Sequence, residues 1–479
     1  MSLLVSLEYD VIVIGGGAVG ENAAAATRRE GLSTVLIESE LVGGECSYWA
    51  CMPSKALLRP AQALEAVRRV PGAAAAVTGS IDTEAALARR DAIAHDWDDS
   101  SQAEWLESVE VDLVRGHARF TGLRELAVEH RDGSLTRLTA NRAVVVATGS
   151  AAAMPPIEGL SDIRVWDNRD ITAAKEVPRR LLIIGAGAVG VEMAQAWKGL
   201  GSEEVTLVQR AGRVLDREEP FVGEELGEAL VRAGVRLVVS GNTTRVERPE
   251  PDGEVTAWIT VGGDAEEVVT ADELLIATGR RPRTYDLGLD TIGLEPGKSL
   301  GVDDRLRVAD IDGDWLYAVG DVNGRSLFTH SGKYQGRMVG RVIAGHDARA
   351  WGDRTALPRV VFTSPQVAAV GLIERAAREQ GLEVQVVRYD IGSVAGASTL
   401  GRGYKGTCQL VIDADRGVIV GATFVGPYVG ELLHSATVAI AGEVPLATLW
   451  HAIPSYPTLS EVWLRLLEAY RDEFGVEFD

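Results

Sequence analysis

The sequence predicts an α/β protein: two parallel-sheet β-α-β units, followed by a part richer in antiparallel strands. Three observations lead there. Near the start, a strand runs into Gly15-Gly16-Gly17-Ala18-Val19-Gly20 and an alanine-rich helix. The same order of strand, glycine turn and helix returns at Gly185-Ala186-Gly187-Ala188-Val189-Gly190, an internal repeat of the first. From about Trp351 the composition changes, and residues 358–371 and 408–426 read as antiparallel strands.

Length and charge set the outer bounds. At roughly 150 residues per domain, 479 residues suggest about three domains. With 46% apolar and 24% charged residues the composition is that of a soluble globular protein able to bury large cores. A net charge of −21 argues against a nucleic-acid or anionic-membrane partner, because a phosphate surface needs a basic face. No apolar run is long enough to span a bilayer. Residues 1–10 lack a basic n-region and a cleavage site, so a reducing cytoplasm is the expected home.

In chain order, residues 10–14 form a buried strand feeding the first glycine turn, and residues 34–37 a second strand that ends at Glu38. This is a complete dinucleotide-binding fingerprint. Gly15 allows the tight turn, Gly17 lets a pyrophosphate approach and Gly20 lets helix and strand pack closely. Glu38, eighteen residues beyond Gly20, is placed for a ribose hydroxyl. Residues 61–118 look helical over much of their length, with strands near residues 111–114 and 135–147. Thr148-Gly149 closes a short apolar strand as a small-residue turn suited to lie against a cofactor.

After Pro155-Pro156 the pattern restarts. Gly185, Gly187 and Gly190 repeat the fingerprint, and residues 205–208 close the unit. Two such sites suggest two cofactors. At the second ribose position stands Gln209 instead of an acid, with Arg210 and Arg213 close behind, a combination that favours a 2′-phosphate and hence NADPH, with NADH as the alternative. Thr278-Gly279-Arg280 echoes the earlier turn, and a strand ending at Gly320-Asp321 again offers an acid to cofactor hydroxyls. Cys408 alternates into a strand and reads as a buried structural thiol.

The chemistry centres on Gly43-Gly44-Glu45-Cys46-Ser47-Tyr48-Trp49-Ala50-Cys51-Met52-Pro53-Ser54-Lys55, which holds two of only three cysteines. A staple across so short a loop stabilises little. A reversible dithiol/disulfide is the better reading, beside two inert thiols; a metal half-site lacks companion ligands. Pro53 suits the first turn of a helix, so the cysteines sit at or just before a helix N-terminus, which favours a thiolate. Residues five apart in a regular helix rise about 7.5 Å, beyond the usual disulfide Cα separation of about 4.4–6.8 Å, so the segment must bend to close the bond.

Together these motifs resemble the class I pyridine nucleotide–disulfide oxidoreductases, over essentially the whole chain and in the right order. The resemblance implies two Rossmann-like domains and a C-terminal α+β dimerisation domain. An FAD domain would occupy residues 1–150 and 280–350, an NAD(P)H domain residues 151–279, and the dimerisation domain residues 351–479. It implies a homodimer with shared active sites. FAD would lie on the first fingerprint, with Gly44 close by and Gly320 and Asp321 on its ribityl and pyrophosphate. NAD(P)H would lie on the second, and Gly279 and Arg280, like the turn they echo, would lie against a bound cofactor. Cys51 would be the thiolate beside the flavin, Cys46 the exposed interchange thiol, and Lys55 and Glu192 an ion pair by the flavin and nicotinamide.

Two departures stand out. Where relatives carry His-Pro-Thr-x-x-Glu, this chain has Tyr456-Pro457-Thr458-Leu459-Ser460-Glu461. A phenol of reference pKa near 10 is a poor proton shuttle beside an imidazole of about 6.5. His451 is a possible substitute or an ordinary capping histidine, and Glu461 would orient whichever base acts. Ordinary dihydrolipoamide dehydrogenase activity is therefore not expected, nor mercuric reduction, since no cysteine follows Cys408. Between the cysteines, Tyr48-Trp49 either restrict access, stack on a planar substrate or simply pack. The leading reading is reduction of a small disulfide or other small oxidant through Cys46 and Cys51. A quinone or dye reductase with direct flavin transfer is the rival, and a redox-sensing binding protein the third.

Overall fold

The computed structural model describes residues 5–263 and 265–478; residues 1–4 of the N-terminal stretch read above lie outside them. Two compact units form. The first takes the chain up to Pro53, Asp91–Ala153 and Arg280–Arg354; the second takes Ser54–Arg90, Met154–Gly279 and the residues from Thr355 on.

The first unit is built on a seven-stranded sheet. Its order is Asp112–Arg115, Thr34–Glu38, Val5–Ile14, Leu135–Val146, Glu125–Glu129 and His117–Gly122, with Leu316–Ala318 paired to the end of Leu135–Val146. The strands nearest the glycine turn are parallel and covered on both faces, which is why they read as unbroken apolar runs. Period-two alternation divides them. Ile12, Ile14, Val35, Ile37, Val144 and Val146 pack on one side; Val11, Val13, Leu36, Ala143 and Val145 pack on the other. The antiparallel strands at residues 117–129 had no counterpart in the sequence reading.

Helix Ala18–Arg29 follows the glycine turn and packs against helix Thr329–Ile343. The second helix presents Gly332, Gly336 and Gly340 at four-residue spacing. A Cβ on Gly336 would stand 3.0 Å from Ala23 N, and one on Gly340 2.6 Å from Ala26 Cβ and 2.7 Å from its carbonyl carbon. The two helices therefore meet almost backbone to backbone.

The second unit holds a parallel sheet ordered Arg236–Val239, Glu204–Gln209, Arg180–Ile184, Glu273–Ile276. Leu181, Ile183, Leu207 and Leu275 face a core with Val191 and Trp197 of helix Ala188–Leu200. Leu182, Ile184, Val208 and Ile276 face the other way, onto a three-stranded antiparallel sheet of Gly241–Glu247, Val255–Val261 and Ala265–Ala271. That sheet covers a face which a helix often covers in such folds, and the sequence reading did not anticipate it.

The C-terminal part of the unit is a five-stranded antiparallel sheet, in the order Pro358–Val361, Gln366–Gly371, Val418–Gly426, Thr407–Asp413, Val384–Asp390. Its core takes Leu433 and Ala436 of helix Leu433–Ala441 and Val462, Leu466 and Tyr470 of helix Glu461–Phe474. Cys408 lies fully buried in this core, and burial pushes its thiol well above the ordinary value.

Gly340→Ala should lower the thermal unfolding midpoint of the first unit, because the added methyl collides with backbone across the helix seam. Overpacking of this kind costs about 1–3 kcal/mol. Differential scanning calorimetry of the two proteins side by side checks it, and an unchanged midpoint would contradict the close seam.

Candidate functional site

The two glycine turns have the same construction. Gly15 and Gly185 have φ of +102° and +105°, and a Cβ on either would stand 2.5 Å from a carbonyl oxygen, of Ala147 and Ala277 respectively. A Cβ on Gly20 would stand 1.8 Å from Gly15 O, and one on Gly190 1.9 Å from Gly185 O. These four positions are closed by the fold itself. The middle glycines differ: a Cβ on Gly17 would come no nearer than 3.9 Å to Gly44 Cα, and one on Gly187 would meet nothing within 4 Å. Open space at the N-terminus of each helix, where backbone N–H groups are unpaired, is what a bound pyrophosphate requires. Both turns thus fit a dinucleotide.

The residues after each second strand repeat the likeness. Glu38 is buried, and its two oxygens accept from Gly16 N and Glu40 N, both at 2.6 Å. Burial raises its pKa while those backbone bonds oppose the rise. Gln209 reaches back in the same way, accepting from Ala186 N at 3.4 Å, and its amide donates to Asp216 at 3.3 Å. Arg210 is exposed. Arg213 donates to the carbonyls of Asp216 and Glu218, while its Nε is buried with no acceptor among the described residues.

Asp321 is the second residue of the turn Gly320–Asn323, and Gly320 is fixed by its N–H donating to Gln335 at 2.7 Å. The Ser150 hydroxyl donates to Asp321, and Arg280 Nε donates to that same hydroxyl at 2.6 Å and approaches the carboxylate at 3.8 Å. Burial raises the Asp321 pKa against these two partners. Arg283 ties the neighbouring pieces together: its guanidinium meets Glu45 at 2.8 Å and its carbonyl accepts from Thr148 at 2.8 Å. Gly149 and Gly279 have open space where a side chain would be. Ser150, Arg283 and Gln335 were not picked out from the sequence, since no motif marks an isolated serine, arginine or glutamine.

The thiol pair departs from a regular helix. Cys46 lies in the short helix Gly44–Tyr48, Cys51 is the first residue of helix Cys51–Arg69, and the break falls at Trp49 and Ala50. Gly44 lets this loop lie on the first glycine turn: a Cβ there would be 2.7 Å from Gly17 Cα. Both cysteines are free and half-buried, and their thiols are hydrogen-bonded to each other. The expected lowering of both thiols does not extend to Cys46. Its pKa is raised, first by the shared hydrogen bond with Cys51 and then by burial, while Thr329 and Lys333 oppose the rise. Two sulfurs sharing a hydrogen bond titrate as a pair, and Cys51 is the one that begins a helix. Its Sγ lies 3.4 Å from the Thr329 hydroxyl, a contact the sequence reading missed.

Tyr48 is fully buried, donates to Val42 O at 3.0 Å and packs edge-on against Trp49 with ring centroids 5.6 Å apart. Of the three readings left open for these aromatics, packing holds for Tyr48. In the second unit Lys55 Nζ meets Glu192 Oε2 at 2.8 Å and lies 4.7 Å over the Phe362 ring. The Glu192 side chain is 5% exposed and its other oxygen accepts from Phe362 N at 2.9 Å, so the pair is not a surface salt bridge.

The C-terminal candidates are spread apart. His451 is exposed at the end of helix Leu446–Trp450, and Tyr456 is 76% exposed. Glu461 is buried at the start of its helix, where it holds Arg465 at 2.7 Å and accepts from Ala395 N at 3.2 Å. Its oxygens are thus taken up by its own unit. No group of three or more His, Cys, Asp and Glu among the described residues is arranged to hold a metal, and no helix is long and apolar enough to cross a membrane.

Comparison with known proteins agrees with this geometry. Residues 9–338 match the pyridine nucleotide-disulphide oxidoreductase model and residues 357–467 its dimerisation domain. A dihydrolipoyl dehydrogenase of Thermus scotoductus is 33% identical over 96% of this chain and 97% of its own length. A mercuric reductase of Lysinibacillus sphaericus is 30% identical over 95% of this chain and 81% of its own. The Cu(II) complex of the HOCl-induced flavoprotein disulfide reductase RclA from Escherichia coli superposes with a TM-score of 0.82 at 25% identity, covering 96% of this chain and 99% of that one. The chain belongs to the pyridine nucleotide-disulphide oxidoreductase family, whose members use FAD and NAD(P)H.

Proposed function

We propose that the protein is an NADPH-dependent flavoenzyme that reduces a small disulfide, or another small oxidant, through Cys46 and Cys51. The observation that carries this reading is the thiol pair itself: two half-buried cysteines hydrogen-bonded to each other, with the Thr329 hydroxyl 3.4 Å from Cys51 Sγ. A merely structural thiol has the surroundings of Cys408, fully buried in an apolar core. That burial also argues against mercuric reduction, because Cys408 is the last cysteine in the chain.

FAD, when bound, supplies two-electron exchange between the nicotinamide and Cys51. Gly15, Gly17, Gly20 and Glu38 would hold its adenosine and pyrophosphate end, and Asp321 with Arg280 would fix the chain beyond. Gly185, Gly187 and Gly190 would hold NAD(P)H. The unpaired Arg213 Nε and the exposed Arg210 favour a 2′-phosphate, and the Asp216 carboxylate on Gln209 weakens that preference. Lys55 is fixed by Glu192, and Cys46 would attack the oxidant as a thiolate. Ile453, 92% exposed, and Tyr456 belong to a segment left uncovered in the single chain. In the homodimer implied by the dimerisation domain this segment would complete the partner's site, with Tyr456 or His451 as the proton donor.

Anaerobic titration with NADPH tests the reading. A long-wavelength absorption band after two electrons is expected, from a Cys51 thiolate in the electron path. Cys46→Ser should abolish disulfide reduction and spare quinones. Bleaching without that band, or full disulfide turnover in Cys46→Ser, would move the assignment to direct quinone or dye reduction.

The two glycine turns should separate by substitution. Gly17→Val is expected to leave far-ultraviolet circular dichroism unchanged and remove bound flavin, whereas Gly187→Val should keep the flavin and abolish its reduction by NADPH. Arg210→Ala should raise KM for NADPH about tenfold, the equivalent of ~1.4 kcal/mol, and leave KM for NADH nearly unchanged. Equal effects on both coenzymes would contradict the 2′-phosphate assignment.

A further inference from the structure

Cys46 lies between two anchors. Its helix, Gly44–Tyr48, has only five residues, too few to hold a helix in water unaided, so contacts outside the helix must fix the thiol. At one end Tyr48 is fully buried, with its phenol on Val42 O. At the other stands Glu45, the residue before Cys46. Its carboxylate meets the Arg283 guanidinium at 2.8 Å, and Arg280 Nη2 lies 4.0 Å away.

Arg283 is itself held. Its N–H donates to Gly149 O at 3.0 Å, its carbonyl accepts from the Thr148 hydroxyl at 2.8 Å, and its Nε donates to Ser150 O at 3.2 Å. Arg280 Nη2 donates to that same Ser150 carbonyl at 2.8 Å. Two guanidiniums therefore converge on one carbonyl and face one carboxylate; Glu40 is farther from Arg283, at 3.9 Å. An ion pair between two loose surface side chains contributes little, because both must be ordered. Here the cations are ordered by other bonds, and the Glu45 side chain is only 22% exposed.

We propose that the Glu45–Arg283 ion pair is the positioning device of Cys46, keeping its sulfur within reach of Cys51 while Cys46 carries the oxidant. The inference rests on the reading of Cys46 as the thiol that meets a small disulfide. Both residues act through the turn and are positioning residues. In the exchange, the Cys46 thiolate attacks one sulfur of the oxidant and expels the other as a thiolate, leaving a mixed disulfide on Cys46. The Cys51 thiolate then attacks Cys46 Sγ, expels the second substrate thiolate and closes the Cys46–Cys51 bond. The two protons released by the cysteines go to solvent, which returns two to the expelled thiolates; the oxidant gains two electrons and the thiol pair loses two. The second attack is intramolecular, so it depends on the effective concentration of Cys51 at Cys46. A turn pinned at Glu45 keeps that concentration high.

The test uses the full-length, FAD-loaded protein equilibrated anaerobically in mixtures of reduced and oxidised glutathione, then alkylated and read by mass spectrometry. Glu45→Gln should lower the equilibrium constant for closing Cys46–Cys51 about fivefold, the upper end for a partly exposed ion pair, and raise the fraction of Cys46 carrying glutathione. Arg283→Met should do the same, and the double variant should be no worse than Arg283→Met alone, since each substitution breaks one and the same contact. Parent-like equilibria in both single variants, or effects that multiply in the double variant, would overturn this proposal while Cys46→Ser stays inactive on disulfides. Disulfide turnover surviving Cys46→Ser would instead overturn the functional reading on which it rests.

Discussion

The close approach of helices Ala18–Arg29 and Thr329–Ile343 is the constraint on which the first unit depends. Gly336 and Gly340 remove the side chains that would hold the helices apart, so chain segments three hundred residues distant in sequence meet at backbone distance. That contact delivers Thr329 to Cys51 and Gln335 to the N–H of Gly320. Dispersion and exclusion of water from such a seam favour one register, because the helices cannot slide without driving a side chain into backbone. The thiol pair and the Asp321 turn inherit their positions from it.

The two glycine turns are one construction used twice. In each, the first and last glycines are required by protein contacts alone, and only the middle glycine faces open space. What distinguishes the turns is the residue that reaches back to the second backbone N–H. Glu38 presents a buried carboxylate, and Gln209 a neutral amide with arginines nearby and Asp216 on its far side. The residue that varies between the turns is thus separate from the glycines that the fold itself requires.

The thiol pair illustrates why spacing alone does not give reactivity. Helix N-terminal geometry favours a thiolate at Cys51, yet Cys46, which shares a hydrogen bond with it and is partly buried, holds its own proton more tightly.

Much of the fold was legible because it depends on local periodicity. The strands around Ile12, Ile183 and Leu274, the glycine turns, the buried Cys408 and the helix after Cys51 all announce themselves through runs of apolar residues or obligatory glycines. The antiparallel sheet at residues 241–271 did not, since short strands with one exposed face and many charges resemble loops in sequence. The sequence by itself determined the two nucleotide turns, the cysteine pair and the missing histidine at Tyr456, because each is a matter of residue type at fixed spacing. Only the tertiary structure decided that Tyr48 is core, that Glu461 is taken up by Arg465 and Ala395, and that the Thr329 hydroxyl lies on Cys51. Those facts arise from burial and from contacts between segments remote in the chain, and no local pattern encodes them.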